Sequence, residues 1–478
     1  MSVDREESQT PMDETERLLG NGTVLTMDRS RPILHDGAVL VHGSRIADLG
    51  DRAELQHRYP AARWIDAAGG VILPGFVNTH THLFQGLLKG LGDDRPLYRW
   101  LRDMTAPAAS RLTEEHCEAA ALNGALEAIR SGTTTVVDFM YAHPREGLTD
   151  AVVRGLQAAG VRAVVARGFI TRGVDLGVPE ALIEEVETAL ADVARLRSLH
   201  AGPADLVRIG VAPCLLWMID QDALRATREF ATGQDIVITY HLAETSFEVD
   251  YARRTYGLPE AQVLEQAGFL GPDLLAVHCT KLDGDDIERL VARDVKVSHN
   301  PVSNMYLGSG IAPIVAMLRR GLTVGLATDG PASNNNQNML HVLKYTALLH
   351  KVAHEDPTAM TADRVLEMAT IDGARAIGMA DEIGSIEVGK RADLVTVALD
   401  NPFAAPVHDP ISSLVYAAVG NEVRTVLVDG RPLMQDGRLA TLDEERVLER
   451  ASSAARDLAV LAGLPSRLER QWRRYGTE

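Results

Sequence analysis

Short apolar runs alternate with longer amphipathic segments through the middle of the chain. Eight of these runs have the buried character of strands and are mostly β-branched, and between most of them the apolar positions recur at helical spacing. Repeated strand–helix units of this kind predict parallel strands covered by helices, which is an α/β fold. The eight runs are residues 71–82, 133–139, 161–169, 207–214, 235–244, 274–280, 295–301 and 322–330.

Eight strand–helix units favour a closed sheet over an open one. They predict a (β/α)8 TIM-type barrel over residues 74–379. A doubly wound open sheet is the alternative. Such a sheet normally carries a glycine-rich phosphate loop after its first strand. This chain has Asn-Thr-His-Thr-His at residues 78–82 instead.

The two ends of the chain have a different pattern. Residues 17–73 and 380–442 contain short β-type segments punctuated by Gly and Asp at hairpin spacing. They predict one small composite β-sandwich domain assembled from both chain ends. Residues 1–16 predict a disordered acidic tail. Residues 443–478 are rich in Leu, Arg, Glu and Ala and predict a C-terminal helical segment.

Charge and cysteine usage narrow the range of partners. The chain carries 48 basic and 66 acidic residues, a net charge of −18, which repels nucleic acid and anionic lipid. No apolar run reaches the roughly 18 residues of a membrane-spanning helix. We therefore expect a small-molecule substrate and neither a nucleic-acid nor a membrane partner. Three isolated cysteines fit a reducing compartment and predict a cytoplasmic protein.

Histidine or carboxylate side chains end five of the eight runs. In a barrel the carboxyl ends of the strands converge at one face, so these side chains are expected to lie together. Histidines two residues apart on a strand point to the same side. Histidines combined with a carboxylate suit a divalent ion such as Zn²⁺ or Fe²⁺. The side chains are His80, His82, His241, Glu244, His278, His299 and Asp329.

A single histidine at a strand end is more often a core or surface group than a ligand. The metal hypothesis rests on the occurrence of histidines or carboxylates at several strand ends. Asp138, which ends the second run, is left open as a structural hydrogen-bond partner. The other histidines, His116 and His350 among them, lie in loop or helix patterns and are expected mostly at the surface.

Four motifs resemble the signature set of the amidohydrolase superfamily. Within it they resemble the branch of cytosine, guanine and S-adenosylhomocysteine deaminases and s-triazine hydrolases, which includes atrazine chlorohydrolase and melamine deaminase. The resemblance extends over about residues 18–450 and implies the same barrel and composite domain. The motifs are PGFVNTHTH at 74–82, HLAE at 241–244, SHNPVSN at 298–304 and TDG at 328–330.

The resemblance implies a mononuclear metal site. His80, His82, His241 and Asp329 would hold one divalent ion, either Zn²⁺ or Fe²⁺. Binuclear relatives need a lysine at the end of the fourth strand, whereas here that strand ends at Cys214 without one. The ion would lower the pKa of a bound water toward about 7, giving a hydroxide that attacks a C–N bond.

The same resemblance implies roles for further side chains. Asp329 would take the proton of the water. Glu244 would protonate the ring nitrogen and pass a proton to the leaving group, which requires a dry pocket that keeps its pKa high. His278 would polarise the attacking oxygen. Substrate contacts are expected from His299, Trp100 and Asn304.

The sequence thus predicts a metal-dependent aminohydrolase that deaminates a nitrogen heterocycle, such as an adenosine-like purine, a pterin or an s-triazine. The dehalogenating branch of the triazine hydrolases tends to depart from the His-Asn-Pro pattern that this chain keeps at His299, so the resemblance favours C–N hydrolysis over the removal of chloride. The alternative is hydrolysis of an amide, urea or substituted-amine bond in a xenobiotic such as an arylurea or an s-triazine herbicide. A metal-free scaffold would lack the ligands that this chain keeps. We also expect a homo-oligomer of two or more subunits.

Overall fold

A computed structural model describes residues 15–200 and 206–464. The predicted acidic tail lies outside the described residues except for Thr15 and Glu16, as do residues 465–478 of the predicted C-terminal helical segment. No helix among the described residues is long and apolar enough to cross a membrane.

Two sheets contain all the named strands of the described ranges. In chain order the strands are β1 (Glu16–Leu25), β2 (Ile33–His42), β3 (Arg45–Asp51), β4 (Arg63–Asp66), β5 (Val71–Pro74), β6 (Phe76–Thr81), β7 (Thr133–Met140), β8 (Arg162–Phe169), β9 (Val207–Pro213), β10 (Ile238–Leu242), β11 (Leu274–His278), β12 (Lys296–His299), β13 (Val324–Leu326), β14 (Leu394–Val397), β15 (Val423–Val428), β16 (Arg431–Gln435) and β17 (Arg438–Leu439).

Helices follow most of the strands. Short 3₁₀ turns occupy Leu83–Leu88, Val174–Leu176 and Glu180–Leu182, and a π-helical turn occupies Leu101–Thr105. The α-helices are α1 (Arg52–Arg58), α2 (Leu97–Trp100), α3 (Ala106–Ala109), α4 (Glu114–Arg130), α5 (Leu148–Ala159), α6 (Val186–Leu199), α7 (Gln221–Ala231), α8 (Ser246–Tyr256), α9 (Glu260–Gln266), α10 (Gly284–Ala292), α11 (Pro301–Tyr306), α12 (Ile314–Arg319), α13 (Met339–His354), α14 (Ala362–Ala369), α15 (Ile371–Ala376), α16 (Pro410–Tyr416) and α17 (Glu444–Leu461).

The composite domain predicted from the chain ends is confirmed as a mixed sheet of nine strands. Its order is β17-β16-β15-β14-β5-β1-β2-β3, with β4 paired to β1. The two parts of the chain meet where β5 and β14 pair antiparallel, with Pro74 opposite Leu394. Side chains from seven of its strands share one buried cluster, as expected when a sheet encloses its own apolar face.

The predicted barrel is also confirmed, and the open-sheet alternative is wrong. Strands β6 to β13 run parallel in sequence order. Hydrogen bonds then join the first strand to the last. The Thr79 hydroxyl donates to the Leu326 carbonyl at 3.0 Å, and the Asn78 amide donates to the Thr328 hydroxyl at 2.8 Å. The backbone N–H of Asp329 donates to the His80 carbonyl at 3.1 Å.

A buried ion pair joins the amino end of the barrel to the composite sheet. Arg162, the first residue of β8, is 3% exposed. Its guanidinium donates to both oxygens of Asp393 at 2.7 and 3.0 Å and to Asp429 at 2.9 Å. Since the composite sheet is joined at this end, the carboxyl ends of the strands remain for the functional site.

The C-terminal helix α17 packs on α4 through charged contacts. The His116 ring contacts the Asp457 carboxylate at 2.9 Å, and Arg450 donates to Glu118 at 3.0 Å. His116 is only 2% exposed. The expectation of a surface position for this histidine is therefore wrong, because α17 covers it.

Candidate metal centre

Four side chains from three strand ends converge at the carboxyl face of the barrel. His80 lies within β6, His82 follows it, His241 lies in β10, and Asp329 follows β13. The Nε2 atoms of His82 and His241 are 3.3 Å apart. The Asp329 Oδ1 atom lies 3.3 Å from His80 Nε2 and 3.5 Å from His82 Nε2. The structure thus brings together the four residues predicted as ligands.

These spacings suit one small divalent ion. Donor atoms bonded at about 2.0–2.1 Å in a tetrahedron lie about 3.4 Å from one another. The His80 ring is fully buried, yet neither of its nitrogens has a hydrogen-bond partner among the described residues. Buried polar atoms normally have a partner, so the orphaned Nε2 beside Asp329 points to a cation. The donor set of three imidazoles and one carboxylate therefore fits a divalent metal ion.

The histidines are held as neutral rings, which is the form that binds metals. Burial lowers the pKa of His82 to about 3 and lowers those of His80 and His241 as well. His82 Nδ1 lies 2.7 Å from the Phe139 carbonyl, which fixes the proton on Nδ1 and leaves Nε2 free. Burial alone would raise the pKa of Asp329, but its hydrogen bond with His80 and the nearby His278 and His82 imidazoles outweigh burial and hold that pKa well below its usual range.

Two serine hydroxyls orient the Asp329 carboxylate. Ser303 Oγ donates to Oδ2 at 2.6 Å, and Ser333 Oγ donates to the same oxygen at 3.0 Å. The backbone of Asp329 is left-handed, with a φ of 60°, and the Gly330 N–H donates to Oδ1 at 2.7 Å. Oδ2 is thereby occupied by hydroxyls, while Oδ1 faces the histidines.

Glu244 and His278 form a second pair beside the ligands. His278 Nε2 lies 3.5 Å from Glu244 Oε2, and its Nδ1 lies 2.9 Å from Asn304 Oδ1. Burial raises the pKa of Glu244 to about 7, although the Ser309 hydroxyl, donating to Oε1 at 2.9 Å, works against that rise. Glu244 is therefore a carboxyl that can hold a proton near neutral pH, which is what a general acid requires. His278 also lies close enough to His80 and Asp329 to join a metal group.

The turns that carry these side chains have strained backbone. His278 and Cys279 are consecutive left-handed residues with φ of 67° and 55°, and Ala243 has a φ of 47°. Such residues cost about 1–3 kcal/mol each and persist where the surroundings fix them. The N–H of Ala243 donates to Glu260 Oε2 at 2.9 Å, and the Tyr240 hydroxyl contacts Oε1 at 2.9 Å. Glu260 thus fixes the turn between His241 and Glu244.

We expect Glu260→Gln to stabilise the protein at alkaline pH and to leave its stability unchanged at pH 4. Burial raises the pKa of Glu260 to about 8, from 4.5 in the unfolded chain. The stability gained from the protonated carboxyl is therefore complete below 4.5 and is lost as the pH rises from 4.5 to about 8. Glutamine reproduces the protonated form, since its oxygen accepts from Ala243 and its NH₂ donates to Tyr240.

The gain at pH 9 should be on the order of 5 kcal/mol. Urea unfolding of both proteins at pH 4 and pH 9 measures it. Parallel stability curves for the wild type and the variant across this range would contradict the assignment of a neutral Glu260.

A cavity opens above the candidate ligands. The predicted substrate residue Trp100 lines it, and its indole N–H donates to the Ala332 carbonyl at 3.1 Å. A second, almost entirely apolar cavity adjoins the first and shares Leu101, Tyr141 and Met218 with it. The first cavity is lined by His82, Gln85, Leu97, Trp100, Leu101, Tyr141, Cys214, Leu215, Met218, His241, Glu244, His278, Leu307, Asp329 and Ser333.

The other two predicted substrate residues lie behind this lining. His299 Nε2 is 3.1 Å from His350 Nε2 on α13, and both rings are fully buried. Burial of His350 is contrary to the surface position expected for it. Asn304 contacts the far side of the His278 ring. Direct substrate contact by His299 and Asn304 stays a prediction, and the geometry shows Asn304 orienting His278.

Several residues of the site were not identified from sequence. Ser303 lies inside the 298–304 motif, and Ser333 lies just after the 328–330 motif. Their closeness to these motifs could have identified them from the sequence. Tyr141 lies two residues after Phe139, a position that follows a barrel strand, whereas Gln85 falls within residues 84–100, a segment that the sequence does suggest as cavity lining. Glu260 starts a helix and has no sequence signal of its own.

Comparison with known proteins agrees with this geometry. The profile described as "Amidohydrolase family" matches residues 71–433, and one described as "Imidazolonepropionase-like composite domain, bacteria" matches residues 37–62. A 5'-deoxyadenosine deaminase of Methanothermobacter thermautotrophicus is 41% identical over 422 residues, which cover 88% of this chain and 95% of that protein. A 5-methylthioadenosine/S-adenosylhomocysteine deaminase of Syntrophobacter fumaroxidans is 40% identical over 443 residues, or 92% of this chain and 98% of that protein.

Solved structures resemble the whole chain. An adenosine deaminase from Xanthomonas campestris with bound zinc has a TM-score of 0.88 and 30% identity, covering 93% of this chain and 99% of that one. Atrazine chlorohydrolase from Arthrobacter aurescens TC1, complexed with zinc, has a TM-score of 0.85 and 26% identity, covering 92% of this chain and 99% of that one.

Proposed function

The chain belongs to the amidohydrolase family, and from that premise we propose that it deaminates the adenine ring of a nucleoside by hydrolysis. It is a metal-dependent hydrolase of C–N bonds, and both sequence relatives described above are named as deaminases of an adenine nucleoside. The carrying observation is the buried Glu244 carboxyl, 3.5 Å from His278 and beside the buried cluster of histidines and Asp329. Burial raises the pKa of Glu244 to about 7. This arrangement supplies a proton donor and a cation site in one cavity.

The proposed roles follow from the contacts of each side chain. His80, His82, His241 and Asp329 would hold one divalent ion, which when bound makes a water acidic enough to ionise near neutral pH. Asp329 accepts a proton through Oδ1, since Oδ2 is occupied by serine hydroxyls.

The second pair moves a proton to the substrate. Glu244 donates its proton to a ring nitrogen next to the reacting carbon. It then takes up the remaining proton of the added water and passes it to the leaving amine, and the proton held by Asp329 finally restores the protonated Glu244. Asn304 accepts from His278 Nδ1, which leaves Nε2 as a hydrogen-bond acceptor toward Glu244 and the substrate.

The lining of the cavities supports a nucleoside whose 5' substituent has an apolar part. In this proposal a flat base lies beside Trp100, and the apolar cavity beyond Leu101 and Met218 takes a deoxy or methylthio group. The relatives named above act on 5'-deoxyadenosine, 5-methylthioadenosine and S-adenosylhomocysteine, according to their names.

A substrate panel tests the proposal. Purified protein is incubated with 5'-deoxyadenosine, a pterin, an amino-s-triazine and an arylurea, and ammonia and aniline are measured. We expect ammonia from the purine nucleoside at the highest kcat/KM. Release of aniline together with no ammonia from the nucleoside would overturn the proposal in favour of a urea hydrolase.

The identity of the ion is part of the proposal. We expect about one zinc or iron ion per chain, because three imidazoles and one carboxylate bind both. Removal by a chelator should abolish turnover, and adding back Zn²⁺ or Fe²⁺ should show which ion restores it. Metal-free protein with full activity would contradict the site. A homo-oligomer in the cytoplasm is also proposed, and light scattering of the purified protein tests the assembly.

We expect Ser309→Ala to shift the alkaline limb of the kcat/KM profile to higher pH. The Ser309 hydroxyl stabilises the ionised form of Glu244, so its loss raises the pKa of that carboxyl. Since the protonated form is the active one, activity should persist about 0.5–1 pH unit further into the alkaline range. Profiles between pH 5 and pH 10 measure the shift, and a limb that moves to lower pH would contradict the role of Glu244 as proton donor.

A further inference from the structure

A buried amide in the cavity has an oxygen without a partner. Gln85 lies on the 3₁₀ turn that follows the ligand His82 and is 1% exposed. Its Nε2 donates to the Tyr141 hydroxyl over a long 3.4 Å, whereas its Oε1 accepts no hydrogen bond within the described part of the chain. A buried amide oxygen without a donor is unfavourable, so this oxygen is suited to accept a donor from a ligand.

Tyr141 provides a donor next to that acceptor. Its ring is fixed edge-on against His82, with centroids 5.1 Å apart, and against Phe84 at 5.2 Å. Its oxygen accepts from Gln85, and its own hydrogen has no acceptor among the residues described. Burial raises the pKa of Tyr141, so the hydroxyl stays a neutral donor. Gln85 and Tyr141 together offer one acceptor and one donor.

The amide oxygen lies beside the candidate ligands. A Cβ atom at position 330 would be 1.9 Å from Gln85 Oε1 and 3.2 Å from the Cβ of His82. Gln85 Oε1 therefore packs against the backbone of Gly330, in the space that a side chain at this position would occupy. A group on the reacting carbon of a substrate would lie within reach of this oxygen.

The pair lies across the barrel mouth from Glu244. Gln85 and Tyr141 follow β6 and β7, whereas Glu244 follows β10. In a closed sheet of eight strands, β6 and β10 are four positions apart and therefore opposite each other. A flat ring between them presents one edge to Glu244 and the other edge to the pair.

We propose that Gln85 and Tyr141 determine specificity by hydrogen-bonding the purine edge that carries N7 and the exocyclic amine. Gln85 Oε1 accepts from the amine, and the Tyr141 hydroxyl donates to N7. In adenine, N1 and N7 lie on opposite sides of carbon 6. A ring whose N1 contacts Glu244 therefore presents its N7 edge to Gln85 and Tyr141. On this edge adenine presents the N7 acceptor beside the amine donor, and this pattern distinguishes adenine from the other bases. This inference rests on the proposed function.

Gln85→Met tests the contact to the amine. The variant keeps the length of the side chain and removes the acceptor. With 5'-deoxyadenosine as the substrate, we expect kcat/KM to fall by roughly 10- to 100-fold. The value for the 6-chloro analogue, whose leaving group has no N–H, should change less than about threefold. Equal losses on both substrates would mean a structural role and would overturn the inference.

Tyr141→Phe tests the contact to N7. With the same nucleoside as the substrate, we expect the Michaelis constant to rise by about tenfold. The inhibition constant of the 7-deaza analogue, which has no acceptor at that position, should stay within about twofold. Tyr59→Phe, which removes a hydroxyl bound to Asp48 in the composite domain, is the matched control and should leave both constants unchanged.

Failure of the proposed function can be distinguished from failure of the inference about Gln85 and Tyr141. If the wild-type protein releases no ammonia from any purine nucleoside, the proposed function fails, and the inference fails with it. If the wild-type protein deaminates the nucleoside but the variants do not separate the analogue from the parent compound, only the inference is overturned.

Discussion

Asp329→Ala should abolish both metal binding and turnover. The carboxylate is the only anionic group among the four candidate ligands, and its Oδ1 is 3.3–3.5 Å from two of the histidine nitrogens. Without it the three imidazoles lose the charge that balances a divalent cation. The proton acceptor of the reaction is lost by the same change. We expect metal content below about a tenth of the wild-type value and a fall in kcat of at least 10⁴-fold, which corresponds to roughly 5.5 kcal/mol.

The measurement pairs elemental analysis with a steady-state assay. Asp222→Ala, which removes an almost fully exposed carboxylate on α7, is the control and should keep both metal and activity. Asp329→Asn keeps the size of the side chain and one oxygen, so it separates the loss of charge from the loss of volume. Full metal occupancy in the alanine variant would refute the ligand assignment.

The convergence of the ligands could be predicted because barrel geometry depends on strand order alone. Once eight strands are identified, their carboxyl ends meet, and residues such as His241 and Asp329 are brought together across a large sequence separation. The spacing of His80 and His82 likewise places both rings on one side of a strand. Local periodicity and topology were sufficient for these residues.

Contacts that depend on loop conformation could not be predicted in the same way. Gln85 reaches the cavity only because a 3₁₀ turn follows His82, and Glu260 reaches Ala243 only because α9 starts beside β10. Strand periodicity also does not say whether a histidine at a strand end faces the mouth or the outer helices. His299 contacts His350 on α13, although it ends a strand as His241 does. Rotamers and loop paths decide these cases, and neither has a short sequence signal.

Glu244→Gln should nearly abolish turnover and leave the metal in place. Glutamine has the shape of the protonated carboxyl and keeps the hydrogen bond from Ser309, so neither the fold nor the candidate ligands are disturbed. Its amide has no proton that it can transfer to a ring nitrogen. General acid–base catalysis by one side chain contributes about 10²- to 10⁴-fold, and Glu244 acts twice, at the ring and at the leaving amine. We expect kcat to fall by about 10³-fold, or roughly 4 kcal/mol, with KM changed by less than about threefold.

The combination of readouts separates this variant from a ligand variant. Asp329→Ala is expected to lose metal and activity together, whereas Glu244→Gln should keep the metal and still bind substrate. Glu422→Gln is the matched control, because Glu422 is also buried but accepts from the backbone N–H groups of Val419 and Gly420 and does not line the cavity. A Glu244→Gln protein that retains more than about a tenth of the wild-type kcat would mean that the proton comes from another group. His278, 3.5 Å from Glu244, is the group in a position to supply it.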